Sequence, residues 1–222
     1  MSDEIKVQPE VKLDPSSLVA DALAVIKSPT EFFRQMPKSG GIIQPLIFAV
    51  VLAVVAGLLR AGLGFVFGDT TFWMAILVVI LVPIFVTIFS FVGAVVGHLI
   101  WKMMGSKESY EASYRCCAYA TAVAPLTQLF EWVPYLGAVL GIVWFTYLMF
   151  VAAIEVHGIR EQTARLGFGL VGGAMALMVV TIEYGSRKLN SGLQAWAKEG
   201  VHADEMKEFG DAMDKLFSSR QK

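Results

Sequence analysis

Residues 72–101 read FWMAILVVILVPIFVTIFSFVGAVVGHLIW, and none of these side chains is Asp, Glu, Lys or Arg. An apolar run of about 18 residues or more with few charges predicts a helix that crosses a bilayer, whose hydrocarbon core is about 30 Å thick. At about 1.5 Å per residue, this stretch is longer than a crossing requires. The chain is therefore predicted to be an integral membrane protein.

The composition of the whole chain agrees with that prediction. Of its 222 residues, 56% are hydrophobic and 17% are charged, whereas a soluble domain has about 45–50% and about 25%. The formal net charge of −1 gives no reason to expect nucleic acid as a partner. The two cysteines, Cys116 and Cys117, are neighbours and too constrained for an ordinary disulfide, so both are predicted to be reduced and buried.

Four further apolar blocks accompany the opening stretch, and three of them are long enough to span. These three are Ile42 to Phe67, Leu136 to Val156 and about Leu166 to Ile182. The remaining block, Cys116 to Phe130, is short and contains Pro125, so it either spans within a tilted hairpin or re-enters. The predicted fold class is all-α, a polytopic transmembrane helical bundle of about five spans with amphipathic helices at both ends.

The two ends carry apolar residues at helical spacing on otherwise polar segments. The N-terminal stripe consists of Leu18, Val19, Ala22, Leu23 and Ile26. The tail has two stripes separated by a break near Gly200. The first consists of Leu189, Leu193 and Trp196, and the second of Met206, Phe209, Met213 and Leu216 or Phe217. The predicted organisation is an N-terminal segment over residues 1–40, a membrane domain over 41–183 and an amphipathic tail over 184–222.

Charge placement predicts the orientation. The leading 40 residues hold five Lys or Arg, the turns near Asp69 and Glu131 hold none, and the link from Lys102 to Arg115 holds three. Positive residues favour the cytoplasmic side, which predicts a cytoplasmic N-terminus. Five spans then place the tail outside, although it carries seven Lys or Arg.

Several motifs resemble those of the Yip family. They are the run Gly105 to Arg115 (GSKESYEASYR), Ala118-Tyr119-Ala120, Pro125, Val133 to Gly137 (VPYLG), Trp144, Glu155 to Gly158 (EVHG), and the lead Pro29 to Phe33 with Gly41 and Pro45-Leu46. Together they cover roughly residues 15 to 182.

This resemblance implies a five-span membrane domain with a cytoplasmic N-terminus. Eukaryotic members are associated with Rab-type GTPases and vesicle traffic. The present chain has a brief N-terminal region and an extended tail, and its compact form is similar to prokaryotic members, so the GTPase role is not carried over. A multi-pass protein of a bacterial inner membrane is expected.

Two sets of polar residues within the apolar blocks are candidate sites. Arg60 lies inside the first span, where a charge costs a few kcal/mol unless it is paired or hydrated. It is predicted either to pair with Glu131 or Asp69 near the outer face, or to extend to the outer headgroups. A second set is expected at the cytoplasmic span ends: His98, Tyr114, Arg115, Tyr119, Glu155 and His157.

Glu155 is the most notable member of that second set. A buried carboxylate beside Arg115 would stay ionised, and beside His98 or His157 it could form a proton-sensitive pair. The set is interpreted either as a ligand, ion or proton site, or as a structural clamp that ties the second, third and fourth spans. A metal is not expected, because Glu155 and His157 are two residues apart and lie on different helix faces.

Four glycine pairs at a spacing of four allow helix backbones to approach closely, either within one chain or between copies. They are Gly64/Gly68, Gly93/Gly97, Gly137/Gly141 and Gly169/Gly173.

No sequence motif indicates an enzyme or a cofactor. The leading hypothesis is a non-enzymatic protein that organises the membrane or binds a partner. Its expected partners are membrane lipids, a second copy or another membrane protein, with no nucleic acid. The alternative is a transporter or a channel-like protein for an ion, a lipid or a small solute.

Overall fold

The computed structural model describes residues 15–68, 71–131, 133, 135–198 and 211–212, with side chains at all of these except residue 15 and residues 194–198. Over these residues the chain is helical and contains no strand, which confirms the all-α fold class. The helices are α1 (Pro15–Lys27), α2 (Pro29–Gln35), α3 (Ile43–Phe67), α4 (Phe72–Met103), α5 (Tyr110–Ala120), α6 (Ala124–Gln128), α7 (Leu136–Glu155) and α8 (Glu161–Lys198), with a 3-10 turn at Thr121–Val123.

Four of the described helices, α3, α4, α7 and α8, are long and apolar enough to cross a membrane. The third predicted segment, Cys116 to Phe130, is not one helix: it divides among the end of α5, the 3-10 turn and α6. Pro125 is one cause, because it has no N–H to continue the α-helical ladder. The Ala124 amide instead donates to the Thr121 carbonyl and closes the tighter turn.

The predicted fifth span and the predicted first tail helix form a single helix, α8. The segment contains no proline to break it, and Glu183 and Arg187 form an i,i+4 ion pair of 2.7 Å across the predicted boundary. The second tail helix, predicted around Met206 to Phe217, lies outside the described residues apart from 211–212. The chain divides into two compact units between Leu177 and Met178.

Helix α5 forms the centre of the first unit. Every residue from Ala112 to Ala120 is buried, including Cys116 and Cys117, both of which are free thiols. Around it pack α4, α3, α7 and α1. The large fully buried side chains are aromatic or aliphatic and come from several helices: Trp101, Tyr114, Phe33, Phe48, Leu148 and Val25.

The N-terminal helices pack on the bundle through apolar anchors. Val25 and Phe33 are buried, and the Phe32 ring lies edge-on to Tyr119, with ring centroids 5.0 Å apart. Burial of such side chains contributes about 1.5–3 kcal/mol each. Helices α1 and α2 are therefore integral parts of the first unit, and this position places their polar residues beside α5 and α7.

Candidate functional site

A network of ion pairs and hydrogen bonds holds the segment from Arg34 to Gly41 against α5 and the end of α7. We call it the N-terminal clamp; it comprises Arg34, Lys38, Gly41, Glu108, Glu111, Arg115, Glu155 and the Val156 carbonyl. Its first link is a two-pronged pair. Arg34 Nε donates to Glu155 Oε2 at 2.9 Å and an Arg34 terminal nitrogen donates to Oε1 at 3.1 Å.

This pair joins an exposed cation to a mostly buried carboxylate. The Arg34 side chain is 58% exposed and that of Glu155 is 16% exposed. The hydrogen bond and the charge of Glu155 raise the pKa of Arg34 above its ordinary value. Planar guanidinium–carboxylate pairs of this kind add geometric specificity to the attraction. The pair therefore fixes the end of α2 on the end of α7.

Lys38 makes the second link. Its ammonium donates to Glu108 Oε1 at 2.8 Å and to the Val156 carbonyl at 2.7 Å. One side chain thus joins the loop after α2 to the α4–α5 link and to the residue that follows α7. The Val156 carbonyl lies beyond the last turn of α7, where backbone acceptors lack helical partners.

The peptide groups of Gly41 make the third link. The Gly41 amide donates to Glu111 Oε1 at 2.7 Å, and Arg115 donates to the Gly41 carbonyl at 2.7 Å. Gly40 and Gly41 have φ of 122° and 88°, a region that side chains with a Cβ rarely adopt. The two glycines therefore allow the sharp turn that presents both backbone groups to α5.

A cavity of about 420 Å³ lies between α1, α2 and α5, next to the clamp. Its wall combines both signs of charge with hydroxyls, amides and apolar side chains: Asp21, Ala24, Ser28, Glu31, Phe32, Gln35, Met36, Pro37, Gln44, Arg115 and Tyr119. Arg115 is 3% exposed, and its Nε has no hydrogen-bond partner among the described residues. Partial burial raises the pKa of Asp21.

His157 makes a second set of buried polar contacts in the first unit. Its Nδ1 is 2.8 Å from the Ser106 hydroxyl, and its ring stacks on Trp101 with centroids 4.0 Å apart. Burial lowers the pKa of His157 to about 4, so the ring is neutral at neutral pH. Ser106 and His157 are each 6% exposed, and this burial closes the pair to a substrate.

The six residues predicted for the cytoplasmic set are distributed among separate sets of contacts. Arg115 and Tyr119 share the cavity, Glu155 pairs with Arg34, and His157 packs on Trp101. His98 Nδ1 lies 2.9 Å from the Ser113 hydroxyl, while Tyr114 stacks on Phe91 and lies 3.5 Å from the Ser90 hydroxyl. The partner of Glu155 is thus neither Arg115 nor a histidine, because α2 lies along α7 and brings Arg34 to it.

Several residues of the site were not singled out from the sequence. Arg34, Lys38 and Asp21 lie on or next to the short N-terminal helices, where charges ordinarily face solvent. One available signal was the Gly40-Gly41 pair, which predicts a sharp turn directly before the first span. The residues that the turn would face could not be read from it.

At the other candidate site, Arg60 forms an ion pair with Glu131, one of the alternatives that the sequence left open. The turn that carries Glu131 packs tightly on the start of α7. A Cβ added at Gly137 would lie 2.5 Å from the Glu131 Cα, closer than real Cβ contacts occur. The glycine at residue 137 therefore permits the backbone approach that holds Glu131 near Arg60.

The described residues contain no group of three or more His, Cys, Asp or Glu side chains that could hold a metal ion. The polar residues that are present instead join helices to one another.

The fold and the sites define a multi-pass helical membrane protein whose polar residues connect its N-terminal helices to the bundle. A family model for the Yip1 domain matches residues 23–182, more than half of the chain. The chain therefore belongs to the Yip1 domain family, and the match confirms the resemblance found in the sequence motifs. No curated protein and no solved structure matches the chain.

Proposed function

We propose that this Yip1-family protein is a non-enzymatic membrane protein that binds a helical partner inside the bilayer, in the first instance a second copy of itself. The observation that carries this proposal is the outward face of the first part of α8. A Cβ added at Gly169 or at Gly173 would meet nothing within 4 Å. Glycines at this spacing let two membrane helices approach closely.

The opposite face of the same helix packs inside the unit. A Cβ at Gly167 would lie 2.9 Å from the Met104 Cε, and one at Gly172 would lie 2.5 Å from Thr146 Cγ2. The large side chains around Gly169 and Gly173 are exposed: Leu166 and Leu170 are each 77% exposed and Leu177 is 69% exposed. This combination of a small-residue groove with flanking leucines suits a partner helix.

The polar sites support a role without chemistry. A Ser–His pair is the arrangement that a nucleophilic enzyme would use, but Ser106 and His157 are buried and the ring stacks on Trp101. The charges of the N-terminal clamp are paired with each other or with backbone groups. These contacts support the structural reading of the clamp over a proton or ion pathway.

The orientation and the membrane belong to the same proposal. The clamp and the cavity face the cytoplasm in this proposal, because the leading 40 residues hold five Lys or Arg whereas the turns near Asp69 and Glu131 hold none. The proposed host is a bacterial inner membrane, in line with the similarity to prokaryotic family members.

The proposal is tested by measuring self-association of the full chain in liposomes over a series of lipid dilutions, with Gly173→Ile as the disrupting variant. Gly93→Ile is the matched control, because a Cβ at Gly93 also meets nothing within 4 Å but lies on α4. We expect Gly173→Ile to weaken association by about tenfold or more and Gly93→Ile to leave it unchanged.

Two results would contradict the proposal. One is a wild-type chain that stays monomeric at every dilution and whose photo-crosslinker at Leu170 contacts only lipid in its native membrane. The other is solute or ion flux in liposomes that is lost in Glu155→Gln, which would support the carrier alternative instead.

A further inference from the structure

The cavity between α1, α2 and α5 brings together two charged groups of opposite sign that do not neutralise each other. Asp21 and Arg115 both line it. No salt bridge within 4.0 Å and no hydrogen bond joins them. Arg115 Nε has no hydrogen-bond partner among the described residues, although the residue is 3% exposed. Leaving a buried charged donor unpaired costs more than an ordinary hydrogen bond gains.

The other charged residues near the cavity have contacts of their own. Glu31 accepts from the Gln35 amide and lies 3.8 Å from Arg34. One terminal nitrogen of Arg115 is committed to the Gly41 carbonyl and lies 3.8 Å from Glu111. Asp21 and Arg115 are therefore the two charged lining residues whose bonding capacity is not fully used within the described residues: Asp21 has no hydrogen bond or ion pair there, and the Arg115 Nε–H has no acceptor.

We propose that this cavity binds a small zwitterion whose ammonium group pairs with Asp21 and whose anionic oxygens accept from Arg115. The shared chemistry is an ammonium and an oxyanion joined by a short chain, as in a phosphoethanolamine lipid headgroup or a free amino acid. The volume of about 420 Å³ falls within the range of about 300–1,000 Å³ that small-molecule sites occupy.

The remaining wall suits such a ligand. Ser28, Gln35, Gln44 and Tyr119 supply neutral hydrogen-bonding groups, and the Phe32 and Tyr119 rings, 5.0 Å apart, form an aromatic side. A cation alone would leave the Arg115 Nε–H without an acceptor, and an anion alone would be repelled by Asp21. A ligand that carries both charges satisfies both groups at once.

The site is tested with the full chain purified in detergent and stripped of lipid. Binding is measured by tryptophan fluorescence and by thermal shift with four probes. These are mixed micelles of phosphatidylethanolamine, micelles of phosphatidylglycerol, soluble glycerophosphoethanolamine and glycine. We expect saturable binding of phosphatidylethanolamine or of a soluble zwitterion, and weaker binding of phosphatidylglycerol. Binding of phosphatidylethanolamine alone identifies a lipid headgroup, and binding of a soluble probe identifies a free zwitterion.

The key variant is Asp21→Asn, which keeps the shape of the side chain and removes its charge. Asp21 makes no hydrogen bond or ion pair within the described part of the chain, so the variant is expected to fold. Affinity should fall by about tenfold or more. The matched control is Glu161→Gln, which removes an exposed acid on α8 and should leave affinity unchanged.

The proposal is overturned if no zwitterion binds, if phosphatidylglycerol binds as tightly as phosphatidylethanolamine, or if Asp21→Asn binds as tightly as the wild type. Self-association through α8 is measured separately, so failure here is distinguishable from failure of the proposed function.

Discussion

Arg34 donates two hydrogen bonds to the carboxylate of Glu155, a residue 121 positions further along the chain. This contact joins the last turn of a short N-terminal helix to the last residue of a membrane-crossing helix. It explains why a glutamate stands at the end of α7 and is mostly buried there: its charge is matched by an arginine from a segment outside the spans.

Arg34→Gln should loosen the N-terminal clamp. Because Arg34 is mostly exposed, the loss of global stability is expected to be small, a decrease of a few degrees in Tm. The local effect should be larger, with faster trypsin cleavage at Lys38. Arg165→Gln is the control, since it breaks an exposed pair with Glu161 within a single helix. The exchange Arg34→Glu with Glu155→Arg should restore slow cleavage, and a failure of Arg34→Gln to change cleavage would show that this ion pair does not hold the segment in place.

His157 should make the protein sensitive to acid. Its pKa is about 4 in the folded chain and about 6.5 in an unfolded chain, so below pH 6.5 the unfolded chain binds more protons. The free energy of unfolding should therefore fall as the pH is lowered from about 6.5 to about 4, by up to about 1.4 kcal/mol per pH unit. Thermal unfolding in detergent at several pH values across this range measures the change in stability.

The control for that experiment is His157→Asn, which retains an acceptor near the position of Nδ1 and cannot be protonated in this range. Its stability should be lower at pH 7 but should depend less on pH between 6.5 and 4. An unchanged pH dependence in the variant would assign the acid sensitivity to other groups.

Gly137→Ala should destabilise the turn between α6 and α7. The new methyl group would lie 2.5 Å from the Glu131 Cα, and backbone atoms cannot move aside as a flexible side chain can. We expect a cost of about 1–3 kcal/mol. Gly141→Ala is the matched control one turn later, because its Cβ would make an ordinary contact of 3.6 Å with Thr127. Equal Tm values for the two variants would contradict this reading.

Glu131→Gln should leave Arg60 without its carboxylate partner. Both side chains are partly exposed, so the cost in detergent is expected to be about 1 kcal/mol or less. In lipid nanodiscs the cost should be larger, because a membrane-exposed charge has little water to replace its partner. Arg60→Met combined with Glu131→Gln should recover part of the loss in nanodiscs. An effect of the same size in both media would place Arg60 in the aqueous headgroup region.

The sequence predicted the parts of the fold that depend on local pattern. The uncharged run from Phe72 to Trp101 lies within α4, and the blocks ending at Phe67 and Val156 correspond to α3 and α7, with small shifts at their ends. The same reasoning could not resolve the segment around Pro125, because a short apolar block with a proline fits a tilted span and a broken helix equally well. It also placed a break after Ile182 where α8 continues.

The candidate site depended on contacts between distant residues, and these were predicted unevenly. For Arg60, the sequence offered Glu131 as one of two acidic partners, because both lie near one end of an apolar block and their charges are opposite, but it left extension to the headgroups equally open. Arg34 was not among the possible neighbours of Glu155, since nothing in the local pattern of α2 indicates that Arg34 lies along α7. The cavity beside Arg115 is formed by three helices and has no counterpart in any single stretch.

The clamp also sets an order of events during biosynthesis. Arg34 leaves the ribosome 121 residues before Glu155 does, a delay of about 6–24 s at about 5–20 residues per second. During that interval the carboxylate that Arg34 pairs with on α7 has not yet been made. The N-terminal helices are therefore made before the helix that they pack on, and they reach their final contacts only after α7 has been made.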